Sequence, residues 1–355
     1  MRARIALALI FALPLAASGA TEPFVLGADI TYLDSPTSLR RGSFPPFQEN
    51  GQPSDELTIL RRHGWNAFRV RIFVSPVHDA PNNTLEAAIP LAKKIKESGA
   101  TLLLCLHFSD TWADPQRQNI PAAWRGLDLA GLEQAWEQHA FTVVKTLKDA
   151  GAMPDWVQIG NEITRGTQWP VAQLQFPGSK DYPPPAGYDE AVQWDHLTRL
   201  LKAGVRGVKA AAGDAPVRIA IHIDKGASWR VTKWFFDHIE AAHVPYDIIA
   251  QSFYPPWAHG TLAQLKENME ESAKRYHKDF LVVETGYENS HVKDNPYMLW
   301  PQTPEGRRLF LADLIRTVKS EPRGIGVMYW EPEWDLWNKD GTPGPGVFVM
   351  EGGKR

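Results

Sequence analysis

The sequence predicts an α/β chain folded as a single (β/α)8 TIM barrel. Three observations carry that expectation. Eight short apolar or β-branched runs recur along the chain, helical patterns separate them, and polar or aromatic residues end almost every run. A length of 355 residues suits one large barrel as well as two smaller domains.

The runs are FVLGADI (24–30), NAFRVRIF (66–73), TLLLCLHF (101–108), DWVQIGNE (155–162), VRIAIHID (217–224), DIIAQSFY (247–254), FLVVETGY (280–287) and GIGVMYWE (324–331). Between them, DELTILRRHG, LEAAIPLAKKIKESG and GLEQAWEQHAFTVVKTLKDAG carry apolar residues at helical spacing. They stop at Gly64, Gly99 and Gly151, the residue type that best takes the left-handed position ending a helix. Four more helical patterns follow: AVQWDHLTRLLKAGVRGVKAA, VTKWFFDHIEAAH, LAQLKENMEESAKRYH and PEGRRLFLADLIRTVKS. The stretch after the eighth run is Gly- and Pro-rich and shows no clear eighth helix, a gap in the barrel pattern. Near-continuous apolar strands alternating with helices imply a parallel sheet covered by helices. An open doubly wound sheet is the alternative, but no glycine-rich phosphate loop follows the first run.

Residues 1–20 predict a signal peptide, with Arg2 and Arg4 before the apolar IALALIFALPLA and a small-residue ASGA, cut near Ala20. That apolar stretch is too short to span a bilayer. The expected division is a signal peptide at 1–20 and a catalytic barrel at 21–355, secreted or periplasmic, with no membrane association after cleavage. A net charge of −3 argues against a nucleic-acid partner. The one cysteine, Cys105, cannot form an internal disulfide and reads as a buried small hydrophobe. Fourteen tryptophans suit ligands with flat apolar faces, sugars among them, although most tryptophans pack cores.

Catalytic groups on this fold sit at the C-terminal ends of the strands and on the loops that follow. The residues standing there are Asp29, Arg69, Arg71, His107, Asp110, Trp112, Asn161, Glu162, His222, Asp224, Tyr254, Glu284 and Trp330. Glu162 and Glu284 are the informative pair, since each ends a run that reads as buried, where an unpaired charge is costly. Two carboxyls facing each other across a barrel mouth suit glycoside hydrolysis, with retention of configuration at a separation of about 5–5.5 Å. That chemistry wants one raised and one lowered pKa. A cation from Arg69 or Arg71, which alternate onto one face, would hold Glu284 ionised, and Tyr254 would donate a hydrogen bond to it. Asn161 is placed to bind a sugar hydroxyl, as are His107 and Asp110. Trp112 would stack on a sugar face or pack beneath the cleft. Asp114 reads as a loop cap, and Glu331 and Glu333 as structural or subsite carboxylates.

Asn161-Glu162 with Glu284 resembles the large clan of retaining glycosidases built on this barrel. The finer resemblance is to glycoside hydrolase family 53, the endo-β-1,4-galactanases, and it spans nearly all of the chain after residue 20. GADI, FRVRIFVSP, HFSDTWADPQRQNIPAAW, IGNEI, WDHLTRLLKAGVRGVK, IHID, SFYPPW, VVETGY and YWEPEW follow in family order, the third being the most specific. The resemblance implies Glu162 as acid/base, Glu284 as nucleophile and Arg69 as the arginine touching that nucleophile. It implies a polysaccharide partner, the β-1,4-galactan of type I arabinogalactan in pectin side chains. The sequence departs from the family pattern at Lys225, where a small amide is expected, and in ETGYENSHVKDNPY, which lacks a proline soon after the aromatic residue. Both bear on chain-length preference. No organic cofactor motif is present, so none is expected. Some bacterial relatives hold calcium after the seventh strand, but His291, Asp294 and Asn295 do not reproduce such spacing, and no ion is assigned. The Pro-rich insert 173–188, with Phe176, Tyr182 and Tyr188, is expected near the cleft. The rival readings are a metal-dependent hydrolase, which would want clustered histidines, a mannan- or glucan-cleaving glycanase of the same clan, and a non-catalytic sugar-binding barrel.

Overall fold

Every predicted run becomes a strand. In the computed structural model, which describes residues 23–33, 46–76, 81–177, 184, 186–288 and 291–351, these are β1 (Val25–Asp29), β2 (Ala67–Ile72), β3 (Thr101–Leu106), β4 (Trp156–Ile159), β5 (Arg218–Ile223), β6 (Ile248–Phe253), β7 (Asp279–Thr285) and β8 (Gly324–Tyr329). The predicted signal peptide lies outside the described residues. The strands pair in parallel in chain order and β8 closes onto β1, with Ala28 opposite Tyr329. Both faces of the sheet are covered, so strand residues are buried throughout, as in the unbroken run of β2.

The helices are α1 (Glu56–Arg62), α2 (Leu85–Glu97), α3 (Leu129–Asp149), α4 (Glu190–Ala212), α5 (Trp229–Ala241), α6 (Leu262–Tyr276) and α7 (Pro304–Lys319). Each opens on a capping side chain, from Asp55 through Thr84, Asp128, Asp189, Ser228 and Thr261 to Thr303, which satisfies a free backbone N–H of the first turn. Gly64 and Gly151 sit at φ +88° and +79°, the left-handed stop that their positions predicted. Among the described residues no α-helix follows β8. A 3-10 stretch, Pro345–Glu351, takes that place, and Trp65 Nε1 donates to the Val347 carbonyl at 2.9 Å.

Two cores result. The larger lies between sheet and helices. The smaller fills the barrel floor with Val25, Ala67, Leu103, Cys105, Trp156, Ala220, Leu281, Val283 and Met328. Cys105 is fully buried there, and burial pushes its thiol up to about 12, so it is no nucleophile. Above this floor the interior turns polar. In the described part of the insert, Phe176 packs edge-on against Trp234 of α5 beneath Arg230, and Tyr188 accepts a hydrogen bond from the Gln175 backbone. Tyr182 lies outside the described residues.

The packing of α3 on α4 depends on Gly207. A methyl group there would stand 2.2 Å from the Glu137 carbonyl oxygen of α3. Gly207→Ala should gain about 1 kcal/mol of helix propensity but lose about 1–3 kcal/mol to overpacking. The net expectation is a lower urea midpoint than wild type; a rise would mean that the two helices separate freely.

Candidate active site

The mouth of the barrel holds a cavity of about 520 Å³, lined among others by Arg71, His107, Trp112, Glu162, Tyr254 and Glu284. Strand parity delivers some of these groups and local irregularities deliver the rest. On β2, Arg69 and Arg71 project inward. Arg69 is fully buried, and its Nη1 donates to Glu284 at 2.6 Å and to Asp29 at 3.0 Å while Nη2 donates to Asn161 at 2.6 Å. Arg71 turns elsewhere. It pairs with Glu331 at 2.6 Å and with Asp29 at 3.3 Å, and its guanidinium lies 4.4 Å from the Trp112 ring centre. Of the two arginines expected near Glu284, Arg69 alone bonds to it.

Glu284 reaches the mouth because β7 is bulged. Leu281 and Val283 face the floor, so alternation would turn residue 284 outward. The register slips between Gln251 and Ser252 of β6, which puts Glu284 opposite Ser252 and aims it inward. Glu162 is placed by a different device. Gly160 and Glu162 both adopt positive φ, +79° and +47°, which turns the chain sharply after β4. The Glu162 carboxyl then accepts from Ser252 Oγ at 2.6 Å, and its backbone N–H donates to His222 Nδ1 at 3.3 Å.

The two carboxyls have unlike surroundings. Burial pushes Glu162 far above the usual carboxylate range, and the charges of Glu284 and Asp224 push it further; the Ser252 hydrogen bond opposes them only in part. Burial also raises Glu284, but the Arg69 guanidinium pulls it back. The sequence predicted a lowered carboxyl at Glu284. Complete enclosure outweighs Arg69, so its net direction is upward. Glu162 is raised well above the ordinary carboxylate value, and Glu284 alone of the two has a bonded cation opposing the rise. Tyr254 donates to Glu284 Oε2 at 3.2 Å, and burial keeps it a phenol.

The other predicted residues divide. His107 lines the cavity. Its Nδ1 accepts from the Ala113 backbone at 3.3 Å, and among the described residues its buried Nε2 has no partner. Burial, with Arg69 and Arg71 nearby, keeps this ring neutral. Trp112 and Trp330 both line the cavity, with ring centres 6.5 Å apart at 67°. Asn161 lines it too, with Nδ2 donating to the Ala113 carbonyl at 2.8 Å. Asp224 lines it and pairs with Lys225 at 2.9 Å. Asp29 and His222 are buried supports rather than lining groups. Asp110 departs from expectation: its carboxylate accepts from the backbones of Ser75 and Ala122 at 2.9 and 2.7 Å and braces the loop instead of the cleft. Asp114, read as a cap, accepts from Gln116 N at 2.7 Å while lining the cavity.

Ser252, Gln158 and the Glu331–Arg71 pair were missed in the sequence. Counting back in twos from Tyr254 finds Ser252 on β6, and counting forward in twos from Trp156 along β4 finds Gln158. In the loop after β7, His291 stacks on Trp257 and pairs with Glu288, and Asn295 Nδ2 donates to the Pro255 carbonyl at 2.8 Å. Among the described residues no three His, Cys, Asp or Glu side chains converge on an ion site.

A family model described as glycosyl hydrolase family 53 matches residues 25–346. The chain belongs to glycosyl hydrolase family 53. It is a glycoside hydrolase. An arabinogalactan endo-β-1,4-galactanase of Thermothelomyces thermophilus is 31% identical over 309 residues, covering 82% of this chain and 84% of that protein. A Niallia circulans protein described only as uncharacterized is 38% identical over 326 residues, covering 88% of this chain and 84% of that one. A solved structure from work on two fungal β-1,4-galactanases superposes with a TM-score of 0.77 at 27% identity, covering 92% of this chain and 99% of that one. The family match spans the barrel from β1 past β8, so it includes every strand end described above.

Within this family 53 chain, Glu331 is fully buried against Arg71 and lines no part of the cavity. Glu331→Gln should therefore lower stability by about 3–5 kcal/mol, the usual cost of leaving one partner of a buried pair. Urea unfolding measures this. A loss under about 1 kcal/mol would mean that Asp29 satisfies Arg71 unaided.

Proposed function

We propose that the chain is an exported endo-β-1,4-galactanase that cleaves galactan with retention of configuration. The observation that carries this reading is the pair of carboxyls in one cavity with opposite electrostatic surroundings. Glu284, held ionised by Arg69, attacks the anomeric carbon and forms a glycosyl-enzyme ester. Glu162, protonated, gives its proton to the departing glycosidic oxygen. The ionised Glu162 then takes a proton from water, which attacks the ester, breaks the carbon–Glu284 bond and restores both carboxyls. His107 Nε2 supplies a donor to a hydroxyl of the bound sugar, and Trp112 and Trp330 offer faces for its apolar side. The choice of galactan rests on family membership and on the relatives' printed activity.

Linear β-1,4-galactan, mannan, xylan and soluble cellulose form the substrate panel. Galactan should be cut by the wild type, with turnover down about four orders of magnitude or more in Glu284→Gln. Cleavage of a different glycan would overturn the substrate and spare the chemistry. An active Glu284→Gln would overturn the chemistry.

The pH profile of kcat/KM should be bell-shaped. Activity rises as Glu284 loses its proton and falls as Glu162 loses its own. Because Glu162 is raised, the alkaline limb should lie well above about 4.3, the ordinary glutamate value. The limbs belong to the coupled pair rather than to either residue alone. An alkaline limb near the ordinary value would contradict the assignment of Glu162 as the acid. Export rests on the basic and apolar character of residues 1–20; the amino-terminal sequence of protein recovered outside the cytoplasm should begin near Thr21.

A further inference from the structure

Glu162 is gripped at both ends by one histidine. Its backbone N–H points at His222 Nδ1 at 3.3 Å. Its carboxyl Oε1 accepts from Ser252 Oγ at 2.6 Å, and that hydroxyl lies 2.9 Å from His222 Nε2. His222 and Ser252 are both fully buried. Among the described residues, Ser252 is the only hydrogen-bond partner of the Glu162 carboxyl.

The direction of each bond follows from the backbone. An N–H of the main chain can only donate, so Nδ1 of His222 must accept. A second donor, the Gln158 amide nitrogen, lies 3.1 Å from the same atom. Asn161 Oδ1, 3.0 Å away, is the one group that would favour a proton on Nδ1. It already accepts from Arg69 at 2.6 Å and from Gln158 at 3.0 Å, so it gains least from a third donor. Burial keeps the ring neutral, with the Arg69 charge adding to the effect. A neutral imidazole that accepts at Nδ1 carries its proton on Nε2. That proton goes to Ser252 Oγ, whose own proton is then left for Glu162 Oε1.

We propose that His222 and Ser252 form a one-way hydrogen-bond chain that keeps the acid proton of Glu162 on Oε2, the carboxyl oxygen with no protein partner. This rests on the acid/base reading of Glu162 above. A proton on Oε1 would face the Ser252 proton, and Ser252 has no second acceptor to turn to, because Nε2 is itself a donor. The acid proton is thereby confined to the oxygen available to a leaving group, and the left-handed Glu162 backbone is pinned while it acts. Ser252 and His222 are positioning residues. They touch the acid and not the substrate.

Two measurements test the chain. In 15N-histidine spectra at neutral pH, with the His222 signal identified by its loss in His222→Gln, Nε2 should be protonated and Nδ1 bare. A proton on Nδ1, or on both nitrogens, overturns the proposal whatever the substrate. In Ser252→Ala, kcat/KM on galactan should fall by about 10- to 100-fold, a part of what general acid catalysis contributes. An aryl β-galactobioside with a dinitrophenolate leaving group needs no acid for its first step and should lose less than about threefold. Ser252→Thr, which keeps a hydroxyl, should restore galactan cleavage. The alkaline limb of Ser252→Ala should move up, since the hydroxyl stabilises ionised Glu162 against the charges of Glu284, Asp224 and Asp114 and the nearby Tyr254 stays neutral. Equal losses on both substrates, or an unmoved limb, would reduce Ser252 to packing and overturn the proposal. A fully active Glu162→Gln would instead strike the acid/base reading beneath it, while leaving the tautomer result intact.

Discussion

The Arg69 guanidinium is the constraint on which the mouth of this barrel is built. It is a permanent charge with no exposure, and such a charge persists only when its donors meet acceptors. Glu284, Asp29 and Asn161 supply them to the two terminal nitrogens, from β7, β1 and the turn after β4, while Nε has no partner among the described residues. One side chain therefore ties three distant parts of the barrel wall together. Asp29 passes the network on to Arg71, and Arg71 passes it to Glu331 after β8. A hydrophobic interior of the same volume would be no less stable, and by the usual balance of buried pairs could be more so. What the ionic interior provides is a carboxylate that keeps a charge where burial alone would neutralise it.

Glu162 is the counterpart. It lines the same cavity but has no cation bonded to it, and its one hydroxyl donor is too weak to offset enclosure. Glu162 and Glu284 are the same residue type in the same cavity, so side-chain chemistry does not separate their roles. Their neighbours do. The contrast also explains why Ser252 matters more than its size suggests. It lies opposite Glu284 in the sheet register and bonds to Glu162, so the bulge that aims one carboxyl also sets the distance to the other's only donor.

The barrel itself was legible in the sequence. All eight runs became strands, and the glycines predicted to stop α1, α2 and α3 do so, because hydrophobic period and helix-end chemistry are local properties. The 3-10 stretch after β8 was not legible. The site was legible only as a set of strand ends. Parity along β2 put Arg69 and Arg71 on one face, but nothing local says that one turns to Glu284 and the other to Glu331. Asp110 illustrates the opposite error. It stands in a polar loop beside His107 and Trp112, yet two backbone N–H groups from neighbouring loops claim it. Partner choice of this kind depends on contacts 12 to 260 residues apart.

Glu284 marks the limit most sharply. Simple alternation from Leu281 and Val283 turns its side chain out of the barrel, and a strand bulge turns it back. A bulge inserts one residue against a partner strand, so it is a property of two strands and leaves no mark in either one alone. The backbone at Glu162 deviates in another way, through a left-handed conformation that a non-glycine residue adopts at a cost. Both candidate catalytic carboxyls thus sit where regular geometry is broken. The division is physical. The floor needs no aim, whereas each of these two carboxyls is held by a buried polar partner, Arg69 for Glu284 and His222 with Ser252 for Glu162.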